Sequence, residues 1–392
     1  MKTKFFLTVF IALTLVATLA WSASSALANP ACDSGFVAKA GNVFTVKPNG
    51  SDDTANIQCA FDAAVAAGAG NDVRLSAGIF HTAQIVVNNF HGKFTGAGTD
   101  KSTVTNLPNL YVTPVDVINN PPSADNPWPT LFAFVDGDFA ITDLAISIVG
   151  NDLTTGWTIF GISPPFEELA HAIMIAGTHT NARIERFLLE GEVMENGAFG
   201  YNVINGVYYE GTIGEVPPPI SGSYTLKDST IRTITFGTPV FNLLNASVVV
   251  SHNHYEDTFI AMDAADVQYS NLEFSNNKVA DSVIGFDLWN SFAPEDVGSN
   301  FLIRNNVLKG EIGIAFEQTF GEGNQCLILG NNVQNISDLG IFLGTGTTDC
   351  TIVGGSNKTN VLDLGTGNVL VGVNNMGTGV GPDIHSVRDL FK

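Results

Sequence analysis

Three acidic residues recur at one point of a repeated strand pattern. Ile260-Ala261-Met262-Asp263 superposes on Ile284-Gly285-Phe286-Asp287, and both superpose on Ile314-Ala315-Phe316-Glu317 after one gap. With the Ile and the Met or Phe pointing inward, strand alternation turns Asp263, Asp287 and Glu317 outward. Stacked strands would then hold neighbouring carboxylates about 4.8 Å apart and the outer two about 9.6 Å apart. Such spacings suit the hydrolysis of glycosidic bonds. The closer one approximates the carboxylate pair of a retaining mechanism, and the wider one approaches an inverting pair. Like charges this near also raise at least one pKa, as a general acid requires. Trp289, two residues past Asp287, points to the same face, where an indole can stack on a sugar ring. The next coil places Gly344 at this position, and the column stops. The same three acids also read as a solvated face of an acidic protein, or as a Ca²⁺ site.

A second group, His252, His254, Glu256 and Asp257, falls within six residues. No second segment completes a metal shell around it, so no metal site is assigned. His252 fills a corner position that asparagine takes in later repeats. Asp257 aligns with Asp281, and both read as turn residues. The chain carries no phosphate loop, no dinucleotide fingerprint and no zinc-ligand spacing, so no cofactor is expected beyond the Ca²⁺ option.

The elements that position these residues follow from a repeat. Asn276-Asn277, Asn305-Asn306 and Asn331-Asn332 each follow a short apolar strand, as do His252-Asn253 and Ser356-Asn357. Counted at the second residue of each pair, the spacings are 24, 29, 26 and 25 residues. A period in the mid-twenties made of short strands and turns, without helix, marks a solenoid of β coils. Asparagine suits its corner because it tolerates a left-handed backbone and its amide can bond the same amide one coil away. A closed antiparallel barrel would instead need Asn-Gly or Asp-Gly hairpins, and these are nearly lacking.

Composition narrows the partners. Lys and Arg number 17 against 38 Asp and Glu, for a net charge of −21. So acidic a surface repels phosphate backbones and anionic lipid, which argues against nucleic-acid and membrane partners. It also argues against a groove for polyuronic acids, which calls for several basic residues. Lys2 and Lys4 precede an apolar run from Phe5 to Trp21, and Ala26-Leu27-Ala28 offers a small-x-small cleavage site. Residues 1–28 therefore read as an export signal, and 29–392 as one domain that is secreted or periplasmic. Nothing hints at an oligomer, and a monomer is the default. Four cysteines fit an oxidising compartment. Cys326 and Cys350 open similar strands 24 residues apart. One coil above the other, they are either bridged by a disulfide or packed as two thiols. Cys32 and Cys59 are candidates for a second bridge, clasping the N-terminal segment to a helix.

That helix lies near the start. Ser51-Asp52-Asp53-Thr54 supplies N-cap residues, Ile57, Ala60, Phe61, Ala64 and Val65 share one face, and Gly68 ends the pattern. Strands follow at Val73-Arg74-Leu75, at Ile85-Val86-Val87 and at Phe94. The run PNGSDDTANIQCAFDAA, followed by VRLSAGIF and FTGAG, resembles the opening of the pectate-lyase superfamily of pectin-lyase-like proteins. The resemblance is closest over about residues 41–100. It implies an all-β fold, a right-handed parallel β-helix with an N-terminal capping α-helix at about 52–67. Loop-rich coils are expected at about 110–222 and regular coils at about 223–375. It does not imply one activity, because the superfamily includes lyases, hydrolases, epimerases, phage spikes and proteins with no known reaction.

The Gly-His-Gly and Arg-Ile-Lys signatures of the galacturonan hydrolases of this fold are missing: Phe90-His91-Gly92-Lys93 lacks the first glycine, and Arg-Ile-Lys does not occur. No arginine-bearing strand of the kind pectate lyases use as a base is visible. The sequence thus supports two readings. One is a hydrolase of a neutral or weakly charged extracellular polysaccharide, using Asp263, Asp287 and Glu317 with Trp289 holding a sugar. The other is a β-helix without catalysis that binds glycan or serves as a surface or matrix component.

Overall fold

A computed structural model of the chain describes residues 32–33, 35–107, 129–152, 169–210, 220–288, 298–316, 324–333, 339–355 and 360–375. Apart from an antiparallel hairpin of Val37–Ala40 with Val43–Val46, the paired strands run parallel, each bonded to the strand one coil before and one coil after. The chain winds through three such stacks, which makes it a right-handed parallel β-helix.

The first stack starts at Val43–Val46 and ends at Val369–Val371. Its inward row runs in register from Phe44 through Phe94, Ile184, Val250 and Ile303 to Leu370. Each fully buried Val, Leu, Ile or Phe of this row contributes roughly 1.5–3 kcal/mol. The second stack runs from Gly78–Thr82 to Asn332–Val333. The third runs from Ile85–Phe90 through His254–Gln268, Lys278–Leu288, Val307–Phe316 and Asn360–Asp363 to Asn374–Asn375.

The corner between the first and second stacks divides the work of each residue pair. The first member takes the left-handed backbone: φ is 59° at His252, 56° at Asn276 and 55° at Asn305. The second member, buried, builds a ladder. The Asn277 Oδ1 accepts from the Asn253 backbone N–H at 2.9 Å and Nδ2 at 3.1 Å. The Asn306 Oδ1 serves Asn277 in the same way, and the Asn331 Oδ1 serves Asn306. In the last of these coils the pair is Gly330-Asn331 and not Asn331-Asn332, because Gly330 takes the left-handed position with φ 62°. Asn332 opens the next strand. Asp257 and Asp281, with φ of 53° and 56°, are turn residues at the following corner.

The helix spans Thr54–Ala67 and ends at Gly68, φ 89°. Asp53 stands at its N-cap position, but its carboxylate accepts from the Asn49 and His81 backbone N–H groups at 2.7 and 3.2 Å. It therefore ties the helix start to the strand Gly78–Thr82, while the Asp52 Oδ1 takes the Thr54 N–H at 2.9 Å. Phe61 packs edge-on against Phe90, Phe94 and Phe134 at 5.0–5.8 Å between ring centres. Two disulfides are present. Cys32 is joined to Cys59, and Cys326 to Cys350, which are register partners inside the core. Residues 1–28, and with them the expected export signal, lie outside the described residues.

Candidate functional site

The strands that carry the predicted column belong to the third stack. Asp263 pairs with Asp287 in register. Met262 and Ala264 on either side of Asp263, and Phe286 and Leu288 on either side of Asp287, belong to the main core, so alternation points both carboxylates away from it. Parallel pairing sets the two residues about 4.8 Å apart.

Three expectations are corrected here. Asp287 pairs with Ala315 and not with Glu317. The pairing shifts between Val279 and Ser282, which leaves one residue fewer between the asparagine ladder and the third stack in the following coil. Glu317, like Trp289, lies outside the described residues. The isoleucines do not point into the main core either. Ile260 and Ile284 belong to a second apolar cluster with Phe236, Phe259 and Phe342, while Met262 and Phe286 stay in the first. The alternation breaks at Ala261 and Gly285: Ala261 and Met262, successive residues, both belong to the main core, while Ile260 lies in the second cluster. A Cβ on Gly285 would stand 2.6 Å from the Gly313 carbonyl oxygen of the next coil, so this crossing admits no side chain. Finally, the column is not an open face: Asp263 is 2 % exposed and Asp287 1 %.

The row that holds them is otherwise apolar or aromatic. Met174 pairs with Tyr208, and the Tyr209–Val240 pairing sets Tyr208 opposite Pro239. Pro239 pairs with Asp263, Asp287 with Ala315, Ala315 with Phe342 and Phe342 with Leu362. Two carboxylates therefore stand side by side within a row of Met, Tyr, Pro, Ala, Phe and Leu. Burying one charge is costly, and burying two of like sign on adjacent strands costs more. Local arrangements that work against stability concentrate where function requires them.

Further along the same stack toward the N-terminus is a polar group that the sequence reading did not pick out. The His171 Nδ1 lies 2.8 Å from the Asn205 Nδ2, one coil away, and the imidazole stacks on Tyr208 at 5.1 Å. Burial holds the His171 pKa down at about 3, so the ring is neutral. In the sequence His171 only opened an apolar strand, and no spacing linked it to Asn205 or Tyr208. Asp266 was missed as well. It is buried beside the column, and its φ of 54° gives it a corner role.

The histidine group is divided by the fold. His252 holds an exposed left-handed corner, and the His254 Nε2 lies 3.7 Å from Glu256. The Asp257 carboxylate accepts a hydrogen bond from the Tyr201 hydroxyl at 2.9 Å. Burial, followed by this bond, raises the Tyr201 pKa above its ordinary value. Among the described residues no three His, Cys, Asp or Glu side chains come together as metal ligands.

No protein-family model matches the chain, and no curated protein is similar to it in sequence. Among solved structures it is similar to an exopolygalacturonase from Thermotoga maritima, with 12% identity over 84% of this chain and 92% of that one, TM-score 0.45. It is also similar to the A-module of a mannuronan C-5 epimerase from Azotobacter vinelandii, with 13% identity over 83% and 96%, TM-score 0.39. A third is the enzymatically active domain of tailspike protein 2 from bacteriophage CBA120, with 12% identity over 85% and 51%, TM-score 0.36. At these scores the likeness adds nothing to the strand pairing. That pairing, a single long and mostly parallel sheet wound into coils, fits the pectin-lyase-like fold.

Proposed function

We propose that the protein acts on an extracellular polysaccharide as a glycoside hydrolase, with Asp263 and Asp287 as its reacting carboxylates. One observation carries this reading: two acids in register on adjacent coils, buried in a row that is otherwise apolar or aromatic. Charges so placed repel each other, and burial removes the water that would screen them. In a retaining reaction one of two such carboxylates acts as the acid and the other as the nucleophile.

The register also narrows the mechanism. With Ala315 in the third position, the wide pair needed for an inverting reaction is not available from this column. A separation near one strand spacing suits a retaining reaction, with carboxyl groups about 5–5.5 Å apart. One carboxylate attacks the anomeric carbon while the other, protonated, gives its proton to the departing oxygen. The second then takes a proton from water as the water oxygen bonds to the anomeric carbon, which breaks the carbon's bond to the first and releases the sugar. Trp289 and Glu317 remain part of the proposal as a sugar platform and a further carboxylate. Residues 1–28 act in this reading as an export signal and 29–392 as a single secreted or periplasmic domain. Two disulfides are consistent with that location, and among the described residues no helix is long and apolar enough to cross a membrane.

The burial of both carboxylates also favours a second reading, a β-helix without catalysis that binds glycan or builds a surface or matrix. A panel of neutral and acidic polysaccharides separates the two, read by reducing-end release, by absorbance at 235 nm and by binding calorimetry. Reducing ends without absorbance mean hydrolysis. Absorbance growth means a lyase and overturns the charge argument. Binding heat without products supports the second reading.

A further inference from the structure

The first stack ends in an apolar outer face. Leu302, Leu327, Thr351 and Val369 form one outward column, and Leu329, Val353 and Val371 form its neighbour. Leu327 and Leu329 are 37% and 36% exposed, and Val369 and Val371 are 52% and 50% exposed. Ile328 and Ile352, which alternate with them, face the core. Earlier coils of the same stack are charged on this side: Arg304, the register partner of Leu329, bonds Glu273 at 2.8 Å. The apolar run begins where that charge ends.

We propose that the C-terminal segment of this same chain, residues 376–392, covers this face. The last described residue, Asn375, pairs with Val361 in the third stack, only four positions after Val371, so the segment starts one corner away from the face. Its sequence contains Val380, Ile384, Val387, Leu390 and Phe391, while Asp383 and Asp389 are matched by Arg388 and Lys392. The four charges cancel, so the segment is not repelled by the acidic body. The residues from 376 to 383 can span up to about 26 Å, enough to cross from the third stack to the first.

A second copy fits less well. The two columns measure about 7 Å by 14 Å from strand geometry, far below the roughly 800 Å² per partner that a stable dimer buries. Two bodies each carrying −21 also repel. A short segment of the chain itself gives up little freedom, because its attachment point is already in place.

The test compares the full-length protein with a chain ending at Asn375 and with full-length Leu390→Asp. Hydrogen exchange is followed at Val369–Val371 and at Asn271–Ser275, together with the fluorescence of an apolar dye and sedimentation velocity. The expected result is a full-length monomer with little dye signal. Both altered forms then exchange severalfold faster at Val369–Val371 and bind dye, with Asn271–Ser275 unchanged. Leu390→Asp keeps the test decisive if the shortened chain fails to fold. Equal exchange and dye binding in full-length protein and Leu390→Asp would show that the segment does not cover the face. A full-length dimer that Val369→Asp separates would assign the face to a second copy.

Discussion

Asp263 and Asp287 face each other across one strand spacing on adjacent coils, and Ala315 takes the place on the next coil where a third acid was expected. The finding is specific because the surrounding row is apolar or aromatic. Met174, Tyr208 and Pro239 precede the pair, and Phe342 and Leu362 follow it. A solenoid can fill such a row with aliphatic residues at no cost, and does so on either side of the two acids.

The asparagine ladder should be the most sensitive polar feature of the fold. Asn277→Ala removes the acceptor used by two buried donors of Asn253 and the donor to the Val250 carbonyl. Leaving such donors unpaired costs about 2–4 kcal/mol, to be read from the denaturation midpoint. Asn276→Gly, one residue earlier, should be nearly neutral, because only the left-handed backbone is needed there.

Stability should fall with acid through His171. Its pKa is held at about 3 in the folded protein against 6.5 in the unfolded chain, so the unfolded state binds the extra proton. The contribution is complete above pH 6.5 and is lost as pH falls toward 3, at up to a few kcal/mol. Urea midpoints measured from pH 7 to pH 4 should decline less in His171→Gln than in the parent protein. Parallel slopes would show that other groups control this window.

Breaking the inner disulfide should matter more than its burial alone suggests. Cys326 and Cys350 close a loop of 24 residues within the core of the last coils. Replacing both with alanine should cost about 3 kcal/mol, mostly through the unfolded state. Thermal unfolding with and without the substitutions checks this. An unchanged midpoint would mean that the coils around it hold without the bridge.

How much of this was legible in the sequence depends on the kind of signal. The ladder was, because Asn recurs at both the left-handed corner and the bonded position, and the sequence shows the pairs directly. Its last described member was read one residue late, since Gly330 replaces asparagine at the corner and hides the pattern, and the Ser356-Asn357 pair lies outside the described residues. The Asp263–Asp287 match was legible because that coil repeats without insertion. Glu317 was misaligned because the next coil has one residue fewer between Leu308 and Gly310, opposite Val279 and Ser282, and a strand of similar apolar residues offers no landmark for the shift. The facing of Ile260 and Ile284 was hidden by a break in the alternation at Ala261 and Gly285 that the sequence does not mark. His171, Asn205 and Tyr208 come from two separate coils, and only the register brings them together.

The most direct measurement is reducing-end release by the parent protein, Asp263→Asn and Asp287→Asn, on whichever polysaccharide of the panel is cleaved fastest, with thermal midpoints recorded alongside. If the two carboxylates carry the reaction, each substitution lowers the rate by at least about a thousandfold, while the midpoint shows the fold intact. If either variant keeps the parent rate with its fold intact, the pair is not the catalytic centre and the hydrolase assignment at this site is wrong.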